Sequence, residues 1–281
     1  MIITLFGVRG TSPVIGPEYK EYGGETTSVL VEGAEGEIVV IDAGTGLRKI
    51  GERLLSQNVE PSLLLLMTHY HLDHVAGLPS FSPLYNGDWR ITAVAPIMDG
   101  RSVDEVLDRV FAEPFWPLQV DTLPARLDFA TLSRDIPGSL FKCGGLEIRW
   151  RLLHHPGGAT AYRIDDPITG GSFVFATDVE WEESSTEERE TFLRLCGEPS
   201  PPDLLVFDGQ FSRENYDKFR GWGHSAWQTA VEVSRKVNAK QLLITHHDPK
   251  SNDVVLNEIE KKLKDLQPKA NLARDGMKFV L

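Results

Sequence analysis

The 281-residue sequence lacks several features that would assign it to a common class of protein. It has no apolar run long enough to cross a bilayer, which requires about 20 residues. The apolar run at residues 63–67, for example, has only the length of a buried strand. Its first residues lack the basic start and cleavage site of a secretory signal, which predicts a first strand and a cytoplasmic location. The two cysteines, Cys143 and Cys196, are too few for a disulfide framework, so both are predicted to be small apolar residues.

Positive charge is also scarce. Lysine and arginine number 29 against 41 acidic residues, which gives a formal net charge of −12. This balance disfavours extended, non-specific binding of nucleic acid, because such binding depends on cationic side chains that neutralise phosphates. It does not exclude a small anionic substrate held by metal ions. The acid-rich segment 180–190 is predicted to be the solvated face of a helix.

Apolar runs and helical periodicity indicate a layered α/β fold. Several runs are rich in Val, Ile and Leu without polar alternation, which is typical of strands covered on both faces. Helices are predicted at residues 47–55 and 102–111, and two more where Ser225 and Asp253 can act as N-caps. The predicted strands lie at residues 2–6, 28–31, 38–41, 63–67, 90–95, 146–152, 173–176, 204–207 and 241–245.

No internal repeat, low-complexity tract or linker divides the chain. Residues 1–281 are therefore predicted to form a single domain. The stretch 80–143 is rich in proline and aromatic residues and has no clear metal ligand. We expect it to be an excursion that flanks the active site on one side.

The strongest functional signal is the segment Thr68-His69-Tyr70-His71-Leu72-Asp73-His74, which directly follows an apolar strand. Imidazole and carboxylate groups are suitable ligands for zinc and similar ions. In an extended segment His69 and His71 face the same way and can bind one ion. If a helix begins near Asp73, then Asp73 and His74 point to a second ion. So many polar groups at a strand end would be costly to bury without such a partner.

The pattern His-x-His-x-Asp-His resembles the signature of the metallo-β-lactamase superfamily. The resemblance implies a four-layer αββα sandwich with a two-metal site at one edge. It also implies that His69, His71 and a downstream histidine hold the first ion. Asp73, His74 and a last histidine would hold the second ion, and a downstream aspartate would bridge the two.

The later ligands occur in the order that this resemblance implies. For the third histidine we predict His155, which precedes a Pro-Gly turn, with His154 as the alternative because neighbours on a strand point oppositely. Asp178 ends an apolar strand and matches the bridging aspartate, and a helix N-cap is its structural alternative. The last ligand is predicted to be His246, with His247 as the alternative.

Four further features of the sequence accompany these ligands. Asp42 resembles the aspartate of the superfamily's Asp-x-Gly turn and is expected either to orient a ligand histidine or to tie the loop. The Gly-His-Ser motif at His224 resembles that of the phosphodiesterase branch, which includes tRNA 3′-processing endonucleases. Asp208 stands where those endonucleases have a carboxylate that pairs with this histidine. The N-terminal Gly-rich stretch resembles that of cyclic-nucleotide-type phosphodiesterases, but Glu25 replaces their usual Asn; there Arg9 is expected either to reach a phosphate or to be a solvated surface arginine.

These observations predict a dinuclear-metal phosphodiesterase acting on a small cyclic nucleotide or cyclic phosphate by attack of a metal-bridging hydroxide. Asp73, His224 and Asp208 are the catalytic candidates, and Trp181, Trp222 or Phe211 could stack on a base. The metals are predicted to be two divalent ions, Zn²⁺ first and Mn²⁺ as the alternative. A small phosphodiester is the expected partner, without a membrane and with a homodimer left open. The alternatives are a tRNA 3′-end endonuclease, a lactone or thioester hydrolase, and a non-catalytic metal-binding protein.

Overall fold

Two seven-stranded sheets form the centre of the computed structural model, which describes residues 1–133 and 140–281. The first sheet has the strand order β14-β1-β2-β3-β4-β5-β6, and β3 to β6 are parallel. Its strands are β1 (Ile2–Gly7), β2 (Ser28–Glu32), β3 (Ile38–Ile41), β4 (Ser62–Leu66), β5 (Arg90–Pro96), β6 (Arg126–Leu132) and β14 (Lys278–Val280).

The second sheet repeats this arrangement with the order β13-β12-β11-β10-β9-β8-β7. Strands β10 to β13 are parallel, and β9 runs antiparallel to both β8 and β10. Its strands are β7 (Phe141–Cys143), β8 (Leu146–Leu153), β9 (Ala159–Asp166), β10 (Gly171–Ala176), β11 (Leu204–Asp208), β12 (Gln241–Thr245) and β13 (Ala270–Leu272).

Helices cover the outer face of each sheet. The helices are α1 (Leu47–Ser56), α2 (Leu72–Val75), α3 (Val103–Val110), α4 (Thr186–Gly197), α5 (Trp227–Lys236) and α6 (Asp253–Leu266). Residues of α1 and α3 pack on the first sheet, and residues of α4, α5 and α6 pack on the second. A third core lies between the sheets, where inward-facing residues of both, such as Val39 and Phe175, are fully shielded from water. The predicted four-layer αββα sandwich is therefore confirmed.

All strands predicted from apolar runs are present, but several local predictions are wrong. Ser225 does not cap α5, whose N-cap is Ala226; the Ser225 hydroxyl instead donates to Val179 O and accepts from Trp181 N. Asp253 does not cap α6, because Asn252 does so and the Asp253 carboxylate accepts from backbone amides near Tyr22.

The acid-rich segment 180–190 is not one solvated helix face, since α4 begins at Thr186 and Glu180 is buried. Part of the predicted excursion, residues 134–139, lies outside the described residues. The described part of the stretch 80–143 contributes β5 and β6 to the first sheet, α3 to its outer face and β7 to the second sheet. Among the helices of the described chain, none has both the length and the apolar character that crossing a bilayer requires.

The carboxyl ends of the central strands meet at one edge of the sandwich. Strands β3 and β4 end there in the first sheet, and β8, β10, β11 and β12 end there in the second. Parallel strands bring the residues that follow them to a common edge, where polar groups in such folds gather. The predicted site residues follow these strand ends.

Candidate metal centre

The segment that follows β4 presents three histidines and an aspartate at this edge. His69 is buried directly after the strand, and the short helix α2 turns the chain so that Asp73 and His74 are buried beside it. Thr68 anchors the segment, because its backbone amide and its hydroxyl both donate to the Asp42 carboxylate at 2.7 Å. The local fold thus places side chains from an extended strand end and from a helix turn in one cluster.

Six predicted ligands form two neighbouring groups, and Asp178 contacts both. The first group is His69, His71 and His155, and the second is Asp73, His74 and His246. In the first group, His155 Nε2 lies 3.0 Å from His71 Nδ1. Asp178 Oδ1 lies 3.6 Å from His69 Nε2 and 3.7 Å from His155 Nε2. The ligand atoms of each group lie within 4.8 Å of one another.

The second group is equally compact. His74 Nε2 lies 3.4 Å from His246 Nε2, and Asp73 Oδ2 lies 3.3 Å from the same His246 nitrogen. Asp178 reaches this group through Oδ2, 3.2 Å from His74 Nε2, and through Oδ1, 3.4 Å from His246 Nε2. The structure therefore brings all seven predicted ligands together, with one carboxylate between the two groups.

The remaining nitrogens of four of these histidines are held by protein oxygens. His74 Nδ1 contacts Asp42 Oδ2 at 2.8 Å, and His155 Nδ1 donates to Gly223 O at 2.9 Å. His69 Nδ1 lies 3.1 Å from the Thr68 hydroxyl, and His246 Nδ1 lies 3.2 Å from Gln210 Oε1. Metal-binding histidines are oriented in this way, with one nitrogen fixed and the other directed at the ion.

Two polar atoms inside the cluster have no hydrogen-bond partner. His69 Nε2 and Asp178 Oδ2 are both buried, and among the described residues neither forms a hydrogen bond of good geometry, although Asp178 Oδ2 lies 3.2 Å from His74 Nε2. Buried polar atoms are rarely left unpaired in folded proteins, because desolvation then goes uncompensated. One divalent cation in each group would satisfy these atoms, since His69 Nε2 belongs to the first group and Asp178 Oδ2 faces the second, so the residues present fit a dinuclear metal site.

The electrostatics of the cluster also favour cations. Burial would raise the pKa of Asp178, yet His246 and His74 hold it well below its usual range. Burial lowers the pKa of His155 to about 4 and that of His69 well below its ordinary value, so both imidazoles remain neutral, the form that a metal ion requires. Burial opposes protonation of His74 as well, but Asp178 and other carboxylates raise its pKa well above the usual range. The buried carboxylates therefore stabilise positive charge in the cluster, and bound metal ions could supply this charge in place of protons on the histidines.

Several site residues have a left-handed backbone. The φ angles of Asp42, Asp178 and His246 are 61°, 60° and 65°. Such angles are uncommon for residues other than glycine and concentrate at functional sites. Each residue lies immediately or almost immediately after a strand, so the bend redirects a side chain from the sheet toward the cluster.

His224 and Asp208 form a pair at the border of the cluster. The fully buried Asp208 accepts from His224 Nδ1 at 2.9 Å and from Asp178 N at 3.0 Å through Oδ2. Its Oδ1 accepts from Ser225 N at 3.0 Å. The His224 ring stacks on His246 with centroids 4.7 Å apart. Among the described residues, the hydrogen bond of the His224 ring is made through Nδ1, and Nε2 has no partner.

Glu180 is a site residue that the sequence interpretation missed. Its Oε1 accepts from Tyr216 Oη and Gly221 N, both at 2.6 Å, and its Oε2 accepts from Gly223 N at 2.8 Å. The carbonyl of the same Gly223 holds His155. Glu180 therefore fixes the loop that carries His224, although in sequence it is one of several acidic residues.

The N-terminal loop contributes contacts that were also missed. Thr11 N donates to Asp73 Oδ2 at 2.7 Å, and Gln210 Nε2 donates to the Thr11 hydroxyl at 3.1 Å. Both expectations for Arg9 are wrong: the side chain is fully buried and donates to the carbonyls of Gly23 and Ser251. It stabilises the loop and does not face the cluster.

The alternative histidines lie outside the cluster. The half-exposed His154 side chain faces Glu188 at 3.5 Å, and His247 Nε2 donates to Ala273 O at 2.8 Å. Of the aromatic residues proposed for stacking, Trp181 is part of the core beneath α4, and Phe211 stacks on Phe219. Trp222 is 61% exposed.

Residues 37–247 match the model of a family described as the beta-lactamase superfamily domain. A ribonuclease Z of Prochlorococcus marinus (strain NATL1A) is 23% identical over 299 aligned positions, which cover 90% of this chain and 92% of the relative. A solved diphosphatase of the PhnP family has a TM-score of 0.70 at 20% identity and covers 100% of this chain and 97% of its own. The short form of human tRNase Z has a TM-score of 0.67 at 18% identity and covers 100% and 99%.

Proposed function

Because the chain belongs to the beta-lactamase superfamily, we propose that it is a metal-dependent phosphodiesterase that hydrolyses a small cyclic nucleotide or another small cyclic phosphate. The His224–Asp208 pair beside the two ligand groups supports phosphodiester chemistry. A histidine held in a fixed orientation can donate a proton to the leaving oxygen when a P–O bond is cleaved.

Seven side chains would hold the ions. His69, His71 and His155 form one set, and Asp73, His74 and His246 form the other, with Asp178 shared between them. Zinc suits this histidine-rich set, and manganese is the alternative. Two such ions would neutralise phosphate charge and lower the pKa of a water molecule toward neutrality.

The protein's own residues would orient the reaction. In the protonated His224 ring, Nδ1–H donates to Asp208 while Nε2–H is available to the leaving oxygen. After that proton is transferred, the neutral ring keeps its bond to Asp208 and its position. Asp73 is held by Thr11 N and would act as a ligand while helping to fix the attacking water.

A tRNA 3′-end endonuclease is the second candidate function. It is favoured by the ribonuclease Z relative, which is similar over nine-tenths of this chain. The net charge of −12 argues against it, because an RNA substrate requires extended phosphate neutralisation. A precursor tRNA with a 3′ extension distinguishes the two functions, since only the endonuclease would process it faster than a cyclic nucleotide.

The test compares His224→Ala with His154→Ala, which removes a surface histidine from the same edge. Metal content and turnover of bis(p-nitrophenyl) phosphate and a cyclic-nucleotide panel are measured for both and for the parent. We expect His224→Ala to keep its metal while turnover falls by about 10²–10⁴-fold, the usual contribution of a general acid. His154→Ala should match the parent. Loss of metal from His224→Ala, or unchanged turnover, would contradict the assigned role, and a preference for carboxylic esters would contradict phosphodiester chemistry.

A further inference from the structure

A large cavity opens on one side of the cluster. Its volume is about 770 Å³, and His69 and His71 form part of its wall. This volume lies in the range that accommodates a drug-sized organic molecule and greatly exceeds what a phosphate group needs. The cavity therefore offers space for a substantial group attached to the reacting phosphate.

The walls of this cavity are mainly apolar. Val106 and Val110 of α3 belong to them, together with Tyr70 and Trp116. Phe115, which also lines the cavity, has 82% of its surface exposed. Apolar side chains that are grouped around one cavity, rather than scattered singly over the surface, are typical of a site that binds an apolar ligand.

Two arginines give the cavity a positive charge. Arg101 and Arg109 both line it, against the single carboxylate of Asp99. Within residues 1–133 and 140–281, neither arginine side chain forms an ion pair. On a chain with a net charge of −12, two unpaired guanidinium groups at one cavity are suited to an anionic group.

We propose that the substrate is an amphiphilic phosphodiester, cyclic or open, whose reacting phosphate lies at the histidine and aspartate cluster while a bulky apolar group attached to it fills the cavity. Arg101 and Arg109 bind a further anionic group carried by that apolar portion. This inference rests on the proposed phosphodiesterase function and adds the chemical class of the substrate. Burial of an apolar ring or chain against the cavity wall would stabilise binding of the substrate, and the two arginines would favour a substrate with an additional negative charge.

The experiment uses three p-nitrophenyl phosphodiesters that share one leaving group and differ in the other ester group. That group is methyl, naphthyl, or naphthyl bearing a carboxylate, and kcat/KM is measured from released p-nitrophenolate. We expect naphthyl to exceed methyl by at least about tenfold, since a fitted apolar pocket discriminates by that much. The carboxylate should add about a threefold gain, of the size expected for one exposed charge pair.

Variants locate the effect in the cavity. Val110→Phe narrows it, Phe115→Ser removes an apolar wall residue, and Arg109→Gln removes one charge. The first two should each lower the naphthyl-to-methyl ratio, and Arg109→Gln should abolish the gain from the carboxylate. Ile168→Ser is the matched control, because this apolar residue is 59% exposed in the turn after β9, away from the cavity.

The outcomes separate the inference from the proposed function. If no diester is hydrolysed by the metal-loaded protein, the phosphodiesterase function itself fails. If all three are hydrolysed with equal efficiency, phosphodiester chemistry stands and the amphiphilic substrate is refuted. A naphthyl preference that survives both cavity variants would also overturn the assignment, because the apolar group would then bind elsewhere.

Discussion

Replacement of Asp42 by asparagine tests how the protein prepares its ligands. Asp42 Oδ2 accepts from the Thr68 hydroxyl and contacts His74 Nδ1, while Oδ1 accepts from Thr68 N. Asparagine fits the same volume and tolerates the φ of 61°, so the fold should persist. The backbone amide of Thr68 retains the one remaining oxygen, and an NH₂ group then faces His74 Nδ1.

This exchange should change the tautomer of His74. With a donor opposite it, Nδ1 must accept, which moves the proton to Nε2 and removes the lone pair that points into the cluster. Loss of such an orienting partner reduces metal affinity by roughly 10- to 100-fold, or about 1.4–2.7 kcal/mol. The expected defect is therefore specific to the ion bound by His74.

Competition titration against a zinc chelator measures this affinity at fixed pH. Asp203→Asn is the matched control, because its carboxylate also accepts from a backbone amide and a hydroxyl, those of Ser172, but lies near the start of β11. Thermal unfolding of the metal-free proteins detects any loss of fold. A folded Asp42→Asn variant that binds zinc as tightly as the parent would refute the orienting role.

Three further predictions address other positions. Gly223→Ala should lose metal and activity, measured by metal analysis and turnover, because a Cβ there would lie 2.1 Å from His155 Nδ1 at a φ of 89°. Glu180→Gln should keep its metal but lower kcat, because the amide NH₂ replaces one of the two accepting oxygens and opposes the backbone donor of Gly221 or of Gly223, both of which position the His224 loop. Burial raises the pKa of Asp275 to about 7, so the folded state holds a proton that the unfolded chain releases near pH 4. Stability should therefore fall between about pH 4 and 7 by on the order of 1–3 kcal/mol relative to Asp275→Asn, measured by urea unfolding.

Sequence reasoning located the elements whose pattern is local. The apolar runs that became β3, β4, β10, β11 and β12 are continuous, so their burial on both faces was readable. Strand β9 was missed because it contains Arg163 and Asp166, charged residues whose burial also depends on partners in distant segments, the carbonyl of Ser200 for Arg163 and the N-terminal amine for Asp166. The three-residue strands β13 and β14 exist only because they pair with β12 and β1.

The site shows the same division. The cluster around His69 could be recognised from the sequence because its predicted ligands are nearly contiguous. The choice between His154 and His155 could not be settled in the same way, because it depends on which of the two side chains turns toward the cluster after β8 ends. The role of Glu180 depends on backbone amides about 40 positions later in the chain, at Gly221 and Gly223. No local pattern distinguishes this carboxylate from the solvated acids that follow it.

Metal stoichiometry is the most direct test of the whole account. Bound metal is first removed from the protein with a chelator, and the protein is then supplied with excess zinc or manganese. After free metal is removed, the number of ions bound per chain is measured by inductively coupled plasma mass spectrometry. The paired ligand groups around Asp178 predict two ions per chain in the parent, and fewer in Asp178→Asn. A folded parent protein that retains neither zinc nor manganese after this treatment would contradict the central claim.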